Sequence, residues 1–144
     1  MVDDRDSRSA SPDNEMVEVP PPLVVQRSKV CPMLMRVFWR LHSHHVPADY
    51  QLGRLPKQQE VSLYVWFDTT LREISSMFQD AVPEARRRNS RCTFCVVYPD
   101  KQGNQLFKQV GCVRQMEKGE DDGKTLKELN YSAGDYVDVA VHHN

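Results

Sequence analysis

The densest grouping of chemically capable side chains is His42-Ser43-His44-His45, with a further pair, His142-His143, close to the C-terminal end. Imidazoles at this spacing suit a metal ion or a proton transfer, but a zinc site takes four ligands held by a rigid frame. No cysteine or carboxylate stands beside His42–His45 to complete such a set. These histidines are therefore expected to contact solvent, backbone or a partner, with His44 and His45 as candidate partner-binding residues. Cys92-Thr93-Phe94-Cys95 has the CxxC form used for zinc and for redox chemistry. It lies in a β-branched and aromatic run that reads as a strand, where an offset of three sends two side chains to opposite faces. The two thiols cannot converge there, and Cys31 and Cys112 are isolated, so all four are expected as reduced, buried thiols. G-x-S-x-G, H-E-x-x-H and a phosphate-binding glycine loop are all missing. The sequence implies no enzyme, no metal, no cofactor and no small-molecule substrate.

Arg86-Arg87-Arg88 with Arg91 is the one concentrated basic tract, able to touch RNA, DNA phosphate or an acidic partner. Against it stands the whole-chain charge: 19 Lys plus Arg and 20 Asp plus Glu give a formal −1, so no global basic field holds nucleic acid. Phe94 and Tyr98 lack the glycine-aromatic pattern of an RNA-recognition sheet around them. Direct RNA binding through Arg86–Arg91 is kept as the alternative function. The apolar runs are far shorter than the roughly 20 residues of a membrane span. The polar opening Met1-Val2-Asp3-Asp4-Arg5-Asp6-Ser7-Arg8 has no signal-peptide apolar stretch behind it. Cytosol or nucleus is the expected compartment.

The elements that must position these groups are legible from periodicity. Residues 1–29 are acidic and proline-rich, with Pro20-Pro21-Pro22, and are expected as a disordered arm in which Leu23-Val24-Val25 can dock on the domain or a partner. The domain is expected to occupy residues 30–144. Met33, Met35, Val37, Trp39 and Leu41 alternate with polar positions as a strand with one buried face. Residues 42–60 carry Pro47, Asp49, Gly53 and Pro56 and read as a long polar loop before a second strand over 61–67. Asp68 is the expected helix N-cap, with Thr70 and Glu73 offering an alternative capping-box register. Leu71, Ile74, Met77, Phe78, Ala81 and Val82 share one helical face, and Pro83 ends the helix. Strands follow over 92–98, about 106–116 and 136–141, with a charged turn and a short helical turn at Thr125–Glu128 before the last. The order strand, strand, helix, strand, strand, short turn, strand is that of an α+β, β-grasp domain, a mixed sheet wrapped around one main helix. A ferredoxin-like arrangement would need a second full helix over residues 117–134, which hold only one short turn.

If the odd positions of the first two strands face the helix, Leu34, Phe38, Tyr64 and Trp66 lie on the opposite face, where an isolated domain should show polar residues. Such an apolar patch marks a docking surface unless the N-terminal arm or the 42–60 loop covers it.

Glu120-Asp121-Asp122-Gly123-Lys124-Thr125-Leu126-Lys127-Glu128-Leu129-Asn130-Tyr131 is similar to the acidic turn and short helical turn that precede the final strand of ubiquitin. More specifically, Cys31-Pro32-Met33-Leu34-Met35-Arg36-Val37-Phe38, the pair His44-His45, Tyr64-Val65-Trp66-Phe67-Asp68-Thr69-Thr70-Leu71-Arg72-Glu73, Pro83-Glu84-Ala85-Arg86-Arg87-Arg88 and Gly134-Asp135-Tyr136-Val137-Asp138-Val139-Ala140 together resemble the small Sin-associated polypeptide family. The match spans residues 30–141 in order and spacing. The resemblance implies a ubiquitin-like, non-catalytic adaptor of nuclear assemblies. Its implied partners are a Sin-type corepressor scaffold and histone deacetylase on one side. On the other are Acinus or Pinin and the RNA-binding serine-rich protein of splicing-linked, exon-junction-associated complexes, with RNA met only indirectly. Residues 42–60 and 101–110 depart from the family pattern, as does the end of the chain at Asn144, where the family usually carries a Pro- and Arg-containing tail. Conjugation is not implied, because His142-His143-Asn144 replaces a terminal Gly-Gly. The partner-binding residues expected on this reading are Phe38, Tyr64, Trp66, His44, His45, Arg86, Arg87 and Arg88.

Overall fold

The alternation read over residues 33–41 becomes strand β1, Met33–Leu41, with Met35 and Val37 fully buried on its inner side. The computed structural model describes residues 24–51 and 54–143, so residues 1–23 of the expected arm lie outside the described residues. The remaining elements are β2 (Glu60–Val65), α1 (Leu71–Ala81), β3 (Ser90–Pro99), β4 (Gln105–Arg114) and β5 (Tyr136–His143). They form a single five-stranded sheet in the order β2-β1-β5-β3-β4. β1 and β5 run parallel, and the other neighbours are antiparallel. A mixed sheet with its first and last strands at the centre and one helix across its inner face is the ubiquitin-like β-grasp.

Leu71, Ile74 and Phe78 of α1 pack on that inner face with Met35, Val37, Leu63, Val65, Phe94, Val137, Val139 and Val141. Trp39 closes the end of this core edge-to-face on Phe78, with ring centroids 6.4 Å apart. β4 carries a bulge opposite Phe94 and Cys95, where Gly111 lies against α1. A Cβ at Gly111 would sit 2.6 Å from Leu71 Cδ1, so a bare backbone is what lets strand and helix approach.

Several expected boundaries move for identifiable reasons. β2 stops at Val65, because Thr69 Oγ1 accepts the Trp66 N–H at 2.9 Å and the Thr69 N–H returns to the Trp66 carbonyl, making a turn. Asp68 is not the N-cap. Its carboxylate takes the Val25 N–H and the Arg27 guanidinium, while Thr70 Oγ1 accepts the Glu73 N–H and Glu73 Oε1 accepts the Thr70 N–H. The alternative register is the one used. The helix does end before Pro83, at an extended Val82. Residues 24–29, read as part of the arm, lie against the domain through those Asp68 and Glu73 contacts. Cys31 is exposed and Cys112 only half-buried, contrary to expectation, whereas Cys92 and Cys95 are buried on opposite faces of β3.

Candidate interaction site

The outer face of the sheet, turned away from α1, carries both the expected apolar patch and the histidines. Phe38, placed there by the β1 alternation, is fully buried, which corrects the expectation that it stands exposed. The 42–60 loop covers it. After a short 3-10 turn at Pro47–Tyr50, the Tyr50 ring lies edge-on to Phe38 at 5.3 Å and stacks on Tyr136 at 5.5 Å. Val97, Leu55 and Phe107 complete a second small core on this face. Arg36 pairs with Glu60 at 2.6 Å and spreads its guanidinium over Phe38 and Tyr136.

The loop is fixed by one buried carboxylate. Asp138 of β5 is fully buried and accepts bonds from His44 Nδ1 (2.6 Å), His45 Nδ1 (2.7 Å), the His45 backbone N–H (3.1 Å) and the Tyr50 hydroxyl (2.5 Å). Burial by itself pushes the Asp138 carboxyl up, but the bonds from His44, His45 and Tyr50 outweigh it and hold it at about 2. Burial likewise pulls both imidazoles down, and the Asp138 bond overrides it, lifting His44 to about 9 and raising His45. Burial, and then the Asp138 charge, push the Tyr50 hydroxyl upward, so it stays a donor. A buried charge is tolerated only when paired and fully hydrogen-bonded, and this constellation meets both conditions. Its effect is to tie residues 44–50 to the middle of the sheet. His45 Nε2 also meets Gln59 Oε1 at 3.1 Å, and His44 Nε2 lies 3.7 Å from Cys95 Sγ. Among the described residues, no group of three or more His, Cys, Asp and Glu side chains is arranged to hold a metal ion.

What remains open of the apolar patch is smaller than expected and better defined. Leu34 and Tyr64, directly opposite each other on β1 and β2, are 47% and 61% exposed. Trp66 is only half-buried. The Arg27 guanidinium sits 4.8 Å above its ring, and its Nε1 donates to the Val30 carbonyl at 2.8 Å. Tyr64 and Trp66 line a small cleft with Arg27, Glu73 and Met77. Phe38 is thus separated from Tyr64 and Trp66, which stay together.

The basic tract divides into three jobs. Arg86 Nε and Nη2 donate to the Gln79 and Asp80 carbonyls, each at 2.6 Å, and so close the open C-terminal end of α1. Arg87 reaches His143 Nδ1 at 3.3 Å, and Arg88 is exposed beside Met116 and Arg114. The residues that organise the outer face without having been singled out are Asp138, Tyr50 and Gln59. Asp138 had a signal, since it is a carboxylate in a strand otherwise built of Val and Ala, and its alternation places it on the face the histidines must cross.

A family model described as Sin3 associated polypeptide p18 (SAP18) matches residues 24–141. The chain belongs to the SAP18 family. Proteins named histone deacetylase complex subunit SAP18 are similar to it over most of its length. The one from Arabidopsis thaliana is 41% identical over 132 residues, covering 90% of this chain and 86% of that protein. The Drosophila melanogaster protein is 36% identical, covering 81% and 78%, and the Homo sapiens protein is 33% identical, covering 88% and 84%. Among solved structures, the C-terminal ubiquitin-like domain of mouse tubulin-specific chaperone e aligns with a TM-score of 0.39 at 10% identity, over 82% of this chain and 94% of that one.

Proposed function

We propose that this chain is a non-catalytic adaptor subunit of a nuclear histone deacetylase corepressor complex, presenting a preformed surface to a Sin-type scaffold or to the deacetylase. The observation that carries this reading is family membership joined to an exposed Leu34–Tyr64 pair on a sheet face whose other aromatics are covered. Exposed aromatics beside a small cleft are the usual anchors of a docking surface, and the Asp138 constellation holds the neighbouring loop in one shape beforehand. Within the same reading, Acinus or Pinin and the RNA-binding serine-rich protein are partners in a splicing-linked assembly, and RNA is reached through them. Turnover plays no part in this mechanism. The chain acts by binding two partners at once.

The test is a pull-down from nuclear extract with the full chain and with a Leu34→Ser, Tyr64→Ser variant of verified folding, read by mass spectrometry for deacetylase, Sin-type and splicing-complex subunits. Recovery by the native chain and loss in the variant is expected. Recovery of none of these subunits by the native chain overturns the adaptor reading, and equal recovery by both chains moves the surface away from Leu34 and Tyr64.

A further inference from the structure

Across one end of the outer sheet face the register sets two arginines and a histidine side by side. Arg91 of β3 stands directly opposite His142 of β5 and, on its other side, directly opposite Arg114 of β4. The neighbours Cys92, Val113 and Val141 are buried in the inner core, so strand alternation sends Arg91, Arg114 and His142 to the outer face. Arg40 of β1 lies one row further along and Arg88 at the rim, both exposed. Among the described residues, none of these five side chains forms an ion pair with a carboxylate. Glu117 lines the same shallow depression as Arg88 and Arg114 but pairs with neither. The Arg91 Nε is buried without a hydrogen-bond partner. Burial, then the charges of Arg91, His44 and His42, pull the His142 imidazole down, as expected of a ring among cations.

Like charges directly opposite one another on a sheet are destabilising, and a buried donor without an acceptor costs free energy as well. Both penalties vanish if an anionic group settles over the row. We propose that the Arg91–His142–Arg114 row, flanked by Arg40 and Arg88, is a binding site for a carboxylate-rich, acidic segment of a partner protein. This deepens the adaptor reading, on which it rests for its protein partner, and it is a surface separate from Leu34 and Tyr64. Single-stranded RNA fits less well. Sequence-tolerant RNA binding uses aromatic platforms for the bases, and no Phe, Tyr or Trp stands among these five residues. The row also supplies only a handful of cations, where tight nucleic-acid binding typically neutralises about 6 to 10 phosphates.

The test titrates the isotope-labelled full chain, followed by amide chemical shifts, with three probes: a (Glu-Ser)5 peptide, its neutral (Gln-Ser)5 counterpart and decauridylate. The acidic peptide is expected to move the amides around Arg91, His142 and Arg114 and to bind more weakly as salt rises, while the neutral peptide leaves them in place. Arg91→Gln and, separately, the exposed Arg114→Gln should each lower that affinity by about tenfold, the scale of one charge-assisted bond. Arg91→Gln should also raise the free chain's denaturation midpoint, an effect opposite to that of losing a structural residue; should this variant fail to fold, Arg114→Gln carries the affinity test. Absence of shifts, shifts confined to Lys101 and Lys108, or tighter binding of decauridylate than of the acidic peptide would each overturn the proposal. Because the probe is a synthetic peptide, its failure leaves the recovery of corepressor subunits through Tyr64 as a separate result.

Discussion

Asp138 gathers four donors from residues about ninety positions away in sequence, and these bonds tie the loop after β1 to the sheet. The sign of the pH dependence follows from the two shifts with stated values. His44, lifted from 6.5 to about 9, adds stability that is fully present below 6.5 and is lost as pH rises through 9. Asp138, lowered from 3.8 to about 2, adds stability that is present above 3.8 and is lost as pH falls through 2. The native chain is therefore expected to be most stable between these limits, roughly from pH 4 to pH 6.5, as far as this cluster governs it. Urea unfolding at a series of pH values checks this, with His44→Gln as the comparison. The variant should lose most of the decline between pH 6.5 and 9, and an unchanged slope would show that His44 is not charged in the folded chain.

At the scale of the element, α1 is where sequence pattern and packing agree most closely. Of the expected apolar face, Leu71, Ile74, Phe78 and Val82 are buried as the spacing requires, whereas Met77 is half-buried and Ala81, in the last turn, is exposed. Phe78→Ala removes a fully buried ring from between Trp39 and the sheet and should cost about 3 to 5 kcal/mol by chemical denaturation. A loss under about 1 kcal/mol would mean that the core collapses to fill the space. The helix start was less legible. Asp68 and Thr70 are both good caps, and what separates them is a long-range contact: Asp68 is engaged by Val25 and Arg27, leaving Thr70 to close the box with Glu73. The end of β2 is set by a local contact instead. Trp66 and Phe67 continue the strand composition, but the Thr69 side chain takes the Trp66 N–H and turns the chain.

At the scale of the whole molecule, the outer face is a covered surface with two openings, the Leu34–Tyr64 pair and the cationic row. Coverage comes from two segments that the composition marks as loop and arm, the described residues of the 42–60 loop and residues 24–29. Arg27 illustrates the second. It bridges Asp68 and Glu73 while lying over Trp66, at a partly exposed position where such pairs contribute about 0 to 1 kcal/mol. Arg27→Ala should therefore leave the denaturation midpoint nearly unchanged yet make Trp66 more accessible to acrylamide. Fluorescence quenching in a Trp39→Phe background, which leaves Trp66 as the reporter, measures this. No increase in quenching would show that Val30, through the indole N–H, is sufficient to hold the ring in place.

The residue pattern by itself determined which elements form and which way each faces. Period-two alternation in β1, β2 and β5 and the helical spacing of Leu71, Ile74 and Phe78 are local properties, and their order along the chain is enough to specify a β-grasp around one helix. The motifs shared with the Sin-associated polypeptides identified the family in the same local way. Alternation says which side of a strand a residue occupies, but not what comes to rest on that side. Only the tertiary structure decided that Tyr50 buries Phe38 while Tyr64 stays open, because that depends on a loop whose path is fixed by Asp138 in the last strand. Only the strand register set Arg91 between His142 and Arg114. Contacts between residues far apart in sequence are made by the folded chain as a whole, so no window of the sequence contains them.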